Sequence, residues 1–311
     1  MRHLLVPLAL VFFAGPALAE VPRVTATTKP IHSLVAAVMG DLGVPDLIVK
    51  GGASPHTYSL RPSDAANLEA AGVVFWTGHG MELFLEDSIE TLAPGAAIVA
   101  LSATPGIELL PVREGGAFEA HEDEDDEHEG HDDEDDALEE MDMHFWLDPV
   151  NAGLMLSHIA QTLSAADPEH RETYAANAAA ETARVEQLIA ATEATLAAVK
   201  DKPFIVFHDA YQYFERRFGL NVVGSITVTP DTLPGAQRIG ELRERVESAG
   251  AVCVFAEPQF EPAVVGTIIE GTPAKSGVLD PEGGSLTEGP HLYAELIQGL
   301  ADALSDCLDG D

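Results

Sequence analysis

The sequence predicts an α/β fold of two lobes, each with a mostly parallel sheet flanked by helices, joined by one long spine helix. Three observations carry this. Short apolar runs alternate with helical segments through the first half of the 311-residue chain, and the same alternation returns in the second half. Between the halves lies a long segment rich in Ala, Glu, Leu and Gln, with no Gly or Pro after Pro168 until Pro203. Short apolar strands separated by helices imply parallel sheets covered on both faces. The length fits two domains better than one.

Residues 1–19 read as a secretory signal peptide: Arg2 and His3 are followed by the apolar run Leu4 to Phe13, and Ala17-Leu18-Ala19 fits cleavage after Ala19. The run is too short to span a bilayer. The expected product is an exported periplasmic chain, without a lipid anchor because no cysteine follows the cleavage site. In the first lobe, 20–166, the strands are expected at Val24–Thr27, Asp46–Val49, Val73–Trp76 and Ala97–Ala100. Helices are expected at Ile31–Val38 and Pro62–Ala71, the second opening on a proline suited to the first helical position. The spine covers 167–200, with Asp167 as N-cap and Pro168 at N1. About 33 residues at about 1.5 Å each give about 50 Å of helix. In the second lobe, 201–311, strands are expected at Phe204–Phe207, Asn221–Val223, Ala251–Phe255 and Gly277–Leu279, and helices at Gly235–Ala249 and His291–Leu308.

The formal charge is −36, and the tract 119–140 holds 15 acids and no Lys or Arg. So acidic a surface excludes nucleic acid and anionic membranes as partners and favours a cationic ligand. The tract has almost nothing apolar to bury, so it is expected to be a disordered loop. Its histidines, His121, His128 and His131, make it either a weak secondary metal site or a solvated loop with incidental imidazoles. The two cysteines, Cys253 and Cys307, form an even pair in an exported chain and are expected to be bridged, closing a loop worth roughly 4 kcal/mol.

Three histidines lie where ligands of α/β proteins lie, beyond the carboxyl ends of strands. His56 follows Leu47–Pro55, His208 closes Phe204–Phe207, and His144 comes directly after the acidic tract. Asp280 ends Val278-Leu279 in the same manner. Three imidazoles and a carboxylate suit tetrahedral zinc. Read singly, each histidine fits a packing role as well. His79 is read as a loop residue, and His32, His158, His170 and His291 as surface or packing residues of helices. Arg61 and Asp64 fit either the start of the following helix or support for the ligands.

The stretch Gly52-Ala53-Ser54-Pro55-His56-Thr57-Tyr58-Ser59-Leu60-Arg61-Pro62-Ser63-Asp64 resembles the first ligand motif of the metal-specific solute-binding proteins of ABC importers, the cluster A-I group. His144-Phe145-Trp146-Leu147-Asp148-Pro149, Phe207-His208-Asp209-Ala210-Tyr211 and Leu279-Asp280-Pro281 resemble the second, third and fourth motifs, in order. The resemblance covers essentially the whole mature chain. It implies a monomeric periplasmic receptor, not an enzyme, that captures Zn²⁺ between its lobes and delivers it to the membrane permease of an ABC importer. It implies His56, His144, His208 and Asp280 as the ligand set. In that group manganese and iron proteins have Glu at the third ligand and zinc proteins have His. The acidic, His-containing insertion and the late cysteine pair also resemble the zinc branch. One departure is Pro55, where some zinc members have a ligating Glu, so either Asp280 or a water completes the shell. A manganese or iron receptor of the same fold, a secreted zinc hydrolase and a zinc buffer acting through the tract alone are the competing readings. Position 208 counts against the first, and the absence of His-Glu-x-x-His and Gly-x-Ser-x-Gly against the second.

Overall fold

Strands buried on both faces need helices on both sides, and the chain supplies them in alternation. A computed structural model describes residues 21–86, 88–113, 118, 141–227, 234–260 and 263–309. The expected signal peptide and the acidic tract 119–140, with His121, His128 and His131, lie outside the described residues. The first lobe runs β1 (Val24–Ala26), α1 (Lys29–Met39), β2 (Asp46–Leu47), α2 (Pro62–Ala70), β3 (Val73–Trp76), α3 (Ile89–Leu92) and β4 (Ala97–Ala100). A small antiparallel ribbon follows, β5 (Leu110–Pro111) with β6 (Met141–Asp142), and then α4 (Pro149–Ala166) and the spine α5 (Arg171–Leu196). The second lobe comprises β7 (Phe204–His208), α6 (Gln212–Phe218), β8 (Val222–Thr227), α7 (Ala236–Ala249), β9 (Cys253–Ala256), α8 (Ala263–Ile269), β10 (Lys275–Val278) and α9 (Leu292–Leu308).

The two sheets repeat one topology. The first has the order β2-β1-β3-β4 and the second β8-β7-β9-β10, every neighbouring pair parallel. In each, the first strand of the lobe lies between the second and third, so the strand order reverses beside it. That reversal opens the crevice in which α/β sheets bind ligands. The central strands β1, β3, β7 and β9 are wholly buried, and apart from Thr25 of β1 and His208 at the end of β7 their side chains are apolar.

The spine is shorter than expected, and its cap is different. It spans 26 residues, about 39 Å at about 1.5 Å each, with His170 rather than Asp167 at its N-cap. Asp167 is engaged elsewhere: its Oδ2 is bonded to the His170 ring at 2.7 Å and accepts the Tyr174 hydroxyl at 2.9 Å, which ties the α4–α5 corner. The buried face of α5 (Tyr174, Ala178, Glu181, Val185, Thr192 and Leu196) follows helical spacing and packs against α4, α1 and α9. Helix α4, beyond those expected from the sequence, is capped by Asp148, which accepts the Val150 N–H at 2.9 Å. No helix among the described residues is long and apolar enough to cross a membrane.

The Cys253–Cys307 bridge joins β9 to α9, with Cα atoms 6.3 Å apart. A Cβ at Gly277 of β10 would overlap the Phe255 ring and approach Cys307 Sγ, so a bare backbone lets the edge strand lie over this junction. Replacing both cysteines with serine should lower unfolding stability by roughly 4 kcal/mol in chemical denaturation while leaving the metal-binding affinity unchanged within a few-fold. An unchanged denaturation midpoint would contradict the bridge's role.

Candidate metal centre

Three imidazoles from three separate segments converge between the sheets. His56 lies in a 3-10 turn, Pro55–Thr57, whose first N–H groups are capped by Ser54: its hydroxyl accepts the His56 N–H at 3.3 Å. Downstream, Asp64 accepts the Tyr58 hydroxyl at 2.8 Å and the Arg61 N–H at 3.0 Å, pinning this loop to the start of α2. That places Asp64 in the helix-start role. His144 ends a short strap after β6 and precedes the buried 3-10 turn Phe145–Leu147. His208 is the last residue of β7, and both it and His144 are buried.

The Nε2 atom of His144 lies 3.3 Å from that of His56 and 3.3 Å from that of His208. All three candidate ligand atoms lie within 4.8 Å of one another. Nitrogens bound to zinc at about 2.0–2.1 Å in a tetrahedron are about 3.3–3.4 Å apart, so two edges already have the spacing of a zinc site.

The rings are held from behind. His144 Nδ1 lies 2.8 Å from Asp142 Oδ1, and the same oxygen accepts the His144 backbone N–H at 3.0 Å. His208 Nδ1 lies 2.7 Å from Glu257 Oε1, which also accepts the Tyr211 hydroxyl at 3.2 Å. A carboxylate accepts only, so it draws the proton to Nδ1 and leaves Nε2 as a lone pair. At 3.3 Å the two Nε2 atoms share a proton while one ring is protonated, and once both are deprotonated their lone pairs converge on one point where a cation can sit.

Burial, then the neighbouring His144 and His208 rings, holds His56 well below the usual imidazole range. Burial, then His208, does the same for His144. His208 differs: burial pulls it down, but the Glu257 carboxylate outweighs burial and the net direction is up. Burial pushes Asp142 up to about 7 against the opposing His144 N–H. His56 and His144 are therefore neutral and ready to ligate at neutral pH, while the Glu257 carboxylate favours the protonated form of His208, which competes with a metal.

Asp280, expected as the fourth ligand, is not in this convergent group among the described residues. Its Oδ1 accepts from Gln259 Nε2 at 2.9 Å and the Glu282 N–H at 3.2 Å, and its Oδ2 accepts the Ser285 N–H at 3.4 Å. The loop around it is fastened to the first lobe. Lys29 Nζ donates to the carbonyls of Gly283, Gly284 and Leu286 at 2.9, 3.0 and 2.8 Å, and Trp146 Nε1 donates to that of Pro281 at 3.0 Å. A Cβ on Gly284 would sit 3.1 Å from Gly52 Cα, so this loop meets the one before His56 backbone to backbone. His79 packs beside Trp76 with ring centroids 4.9 Å apart and is no part of the triad. His32 is a packing residue whose Nε2 lies 3.0 Å from the Pro45 carbonyl.

Sequence reasoning missed Asp142, Glu257 and Lys29. Glu257 was findable, because it closes the apolar run Val254-Phe255-Ala256 just as His208 closes its own. Asp142 carried no separate signal beside the long run of acids before it.

A family model of ZnuA, the periplasmic component A of zinc-uptake complexes, matches residues 24–307. The chain belongs to the ZnuA family. It is 49% identical, over 95% of both chains, to the high-affinity zinc uptake system protein ZnuA of Brucella abortus (strain 2308). It is 37% identical to the protein of the same name from Paracoccus denitrificans (strain Pd 1222), over 96% of this chain and 95% of that one. The crystal structure of ZnuA shares the fold with a TM-score of 0.77 and 24% identity, over 93% of this chain and 100% of that one. The family is one of solute-binding receptors, not of enzymes.

The raised His208 sets a pH dependence. A protonated imidazole cannot ligate, so metal affinity should fall as pH drops through the elevated His208 pKa, by about tenfold per unit where one proton is displaced. Competition titrations from about pH 8 to 6 measure this, and Glu257→Gln should move the fall to lower pH. A flat profile in both proteins would contradict the assignment.

Proposed function

We propose that the chain is a periplasmic zinc receptor that binds Zn²⁺ between its lobes through His56, His144 and His208 and delivers it to the membrane permease of an ABC importer. The observation that carries this is the 3.3 Å spacing of the Nε2 atoms, with Nδ1 of two rings committed to carboxylates. Membership of the zinc-uptake family supports it, as does imidazole rather than carboxylate at position 208, which favours zinc over manganese. In this reading water takes the fourth position, since three donors hold Asp280 in its own loop. The receptor works as a monomer, is exported with cleavage after Ala19, and divides into a first lobe 20–166, a linking segment 167–200 whose helix is Arg171–Leu196, and a second lobe 201–311. No chemistry is done on the metal. His121, His128 and His131 collect additional zinc weakly, because ligands on a chain that must be ordered on binding give up entropy that the folded centre does not.

Deleting 119–140 should leave one tight zinc per chain and remove the weak class. Alanine at His56, His144 or His208 should weaken the tight site by more than about 100-fold, the upper end of the effect of losing an outer-shell partner. Asp280→Ala should cost less than about tenfold. Isothermal titration and metal analysis decide this. Tight zinc retained by the triple alanine variant of the deleted protein would overturn the site, and its loss on deletion alone would move the essential ligands into the tract.

A further inference from the structure

On the reading of the centre as a zinc site, we propose that Arg113 is a positioning residue: it fastens α6 of the second lobe to the ribbon and strap that carry His144, and so sets the separation of His144 from His208 and the lifetime of the bound metal. Helix α6 begins four residues after His208 and grips the His144 strap on both sides. The Tyr213 hydroxyl donates to the Asp142 carbonyl at 2.7 Å and accepts the Leu110 N–H at 2.8 Å, so it bridges both strands of the β5–β6 ribbon. Gln212 Nε2 donates to the Pro111 carbonyl at 3.0 Å. On the far side, Arg217 places Nε and Nη2 on the two Asp148 oxygens, each at 2.7 Å.

Arg113 completes the clasp from the ribbon side. Its Nε donates to Asp209 Oδ2 at 2.9 Å, and its Nη1 and Nη2 donate to Glu215 at 2.7 and 2.8 Å; Nη2 also reaches Asp209 Oδ1. The Phe118 ring lies 3.9 Å from the guanidinium carbon and covers it. Asp209 directly follows His208, and Asp142, at the end of the ribbon, holds His144. A single guanidinium therefore ties the two segments that carry facing ligands.

The electrostatics make Arg113 the main fastener. The side chains of Asp209 and Glu215 are 4% and 11% exposed, and Arg113 bonds both. Without it, two buried carboxylates lose a shared cation and repel each other, a larger loss than that of a solvated surface pair. The neutral bonds of Tyr213 and Gln212 and the more exposed Arg217–Asp148 pair would be left to hold α6 against that repulsion. The planar fork of arginine is needed because two carboxylates are bound from different edges.

The test uses the full chain loaded with one zinc. Release into excess chelator, followed by stopped flow, should be at least about tenfold faster for Arg113→Gln than for wild type, the scale on which a lost supporting contact loosens a metal site. Arg113→Lys should fall between them. With Co²⁺ in place of zinc, the ligand-field absorption of Arg113→Gln should shift from that of wild type, a signature that a purely structural residue distant from the ligands would not give. Arg113→Gln/Asp209→Asn, which relieves the repulsion, should release zinc more slowly than Arg113→Gln alone. Should Arg113→Gln fail to fold by circular dichroism, Tyr213→Phe tests the same clasp and should speed release a few-fold. Release within twofold of wild type for whichever variant folds, with an unchanged cobalt spectrum, would overturn the proposal. Failure of the wild-type chain to retain zinc would instead strike the zinc reading itself.

Discussion

Everything in the centre depends on the direction in which two imidazoles are protonated. Asp142 and Glu257 sit behind His144 and His208 and hold their Nδ1 atoms at 2.8 and 2.7 Å. Each therefore turns its Nε2 toward the other at 3.3 Å. The two rings are thus already turned toward one point by their carboxylate partners, so on the zinc reading much of the ordering needed for binding is built into the fold. The affinity gained this way comes from preorganisation, not from a larger number of ligands.

The fold exists to deliver these groups. Each sheet reverses its strand order beside its first strand, and in the second lobe His208 ends β7 and Glu257 directly follows β9, the two strands that flank the reversal. His56 arrives on the loop after β2 of the opposite lobe, fixed by Ser54 and Asp64. The two lobes are then tied by contacts that avoid the ligands: Lys29 into the Asp280 loop, Trp146 onto Pro281, and the Arg113 and Arg217 pairs around α6. These ties run through polar groups and backbone, and Trp146 joins them to the main apolar cluster.

The sheet architecture and the three histidines were legible because both rest on local pattern. A strand buried on two faces must be continuously apolar, and a ligand at its end breaks that run, as His208 does after Phe204-Ile205-Val206-Phe207. The spine was legible as helix, but its start was not. Asp167-Pro168 reads as a cap, yet the Asp167 carboxylate is used by Tyr174 and His170 across the turn, a contact no local rule anticipates. Asp280 illustrates the same limit. Its strand-end position resembles that of a ligand, and the hydrogen bonds it accepts from Gln259 and two backbone N–H groups are brought there only by the fold. Arg113 was invisible for a further reason: its partners lie roughly a hundred positions away, and nothing in composition links them.

The measurement that bears most directly on the central claim is zinc K-edge X-ray absorption on the chain lacking 119–140, loaded with one equivalent of zinc. The arrangement described here predicts a four-coordinate site with three imidazole nitrogens at about 2.0–2.1 Å and one oxygen. A spectrum without the outer-shell imidazole pattern, or one dominated by carboxylate oxygen, would contradict it.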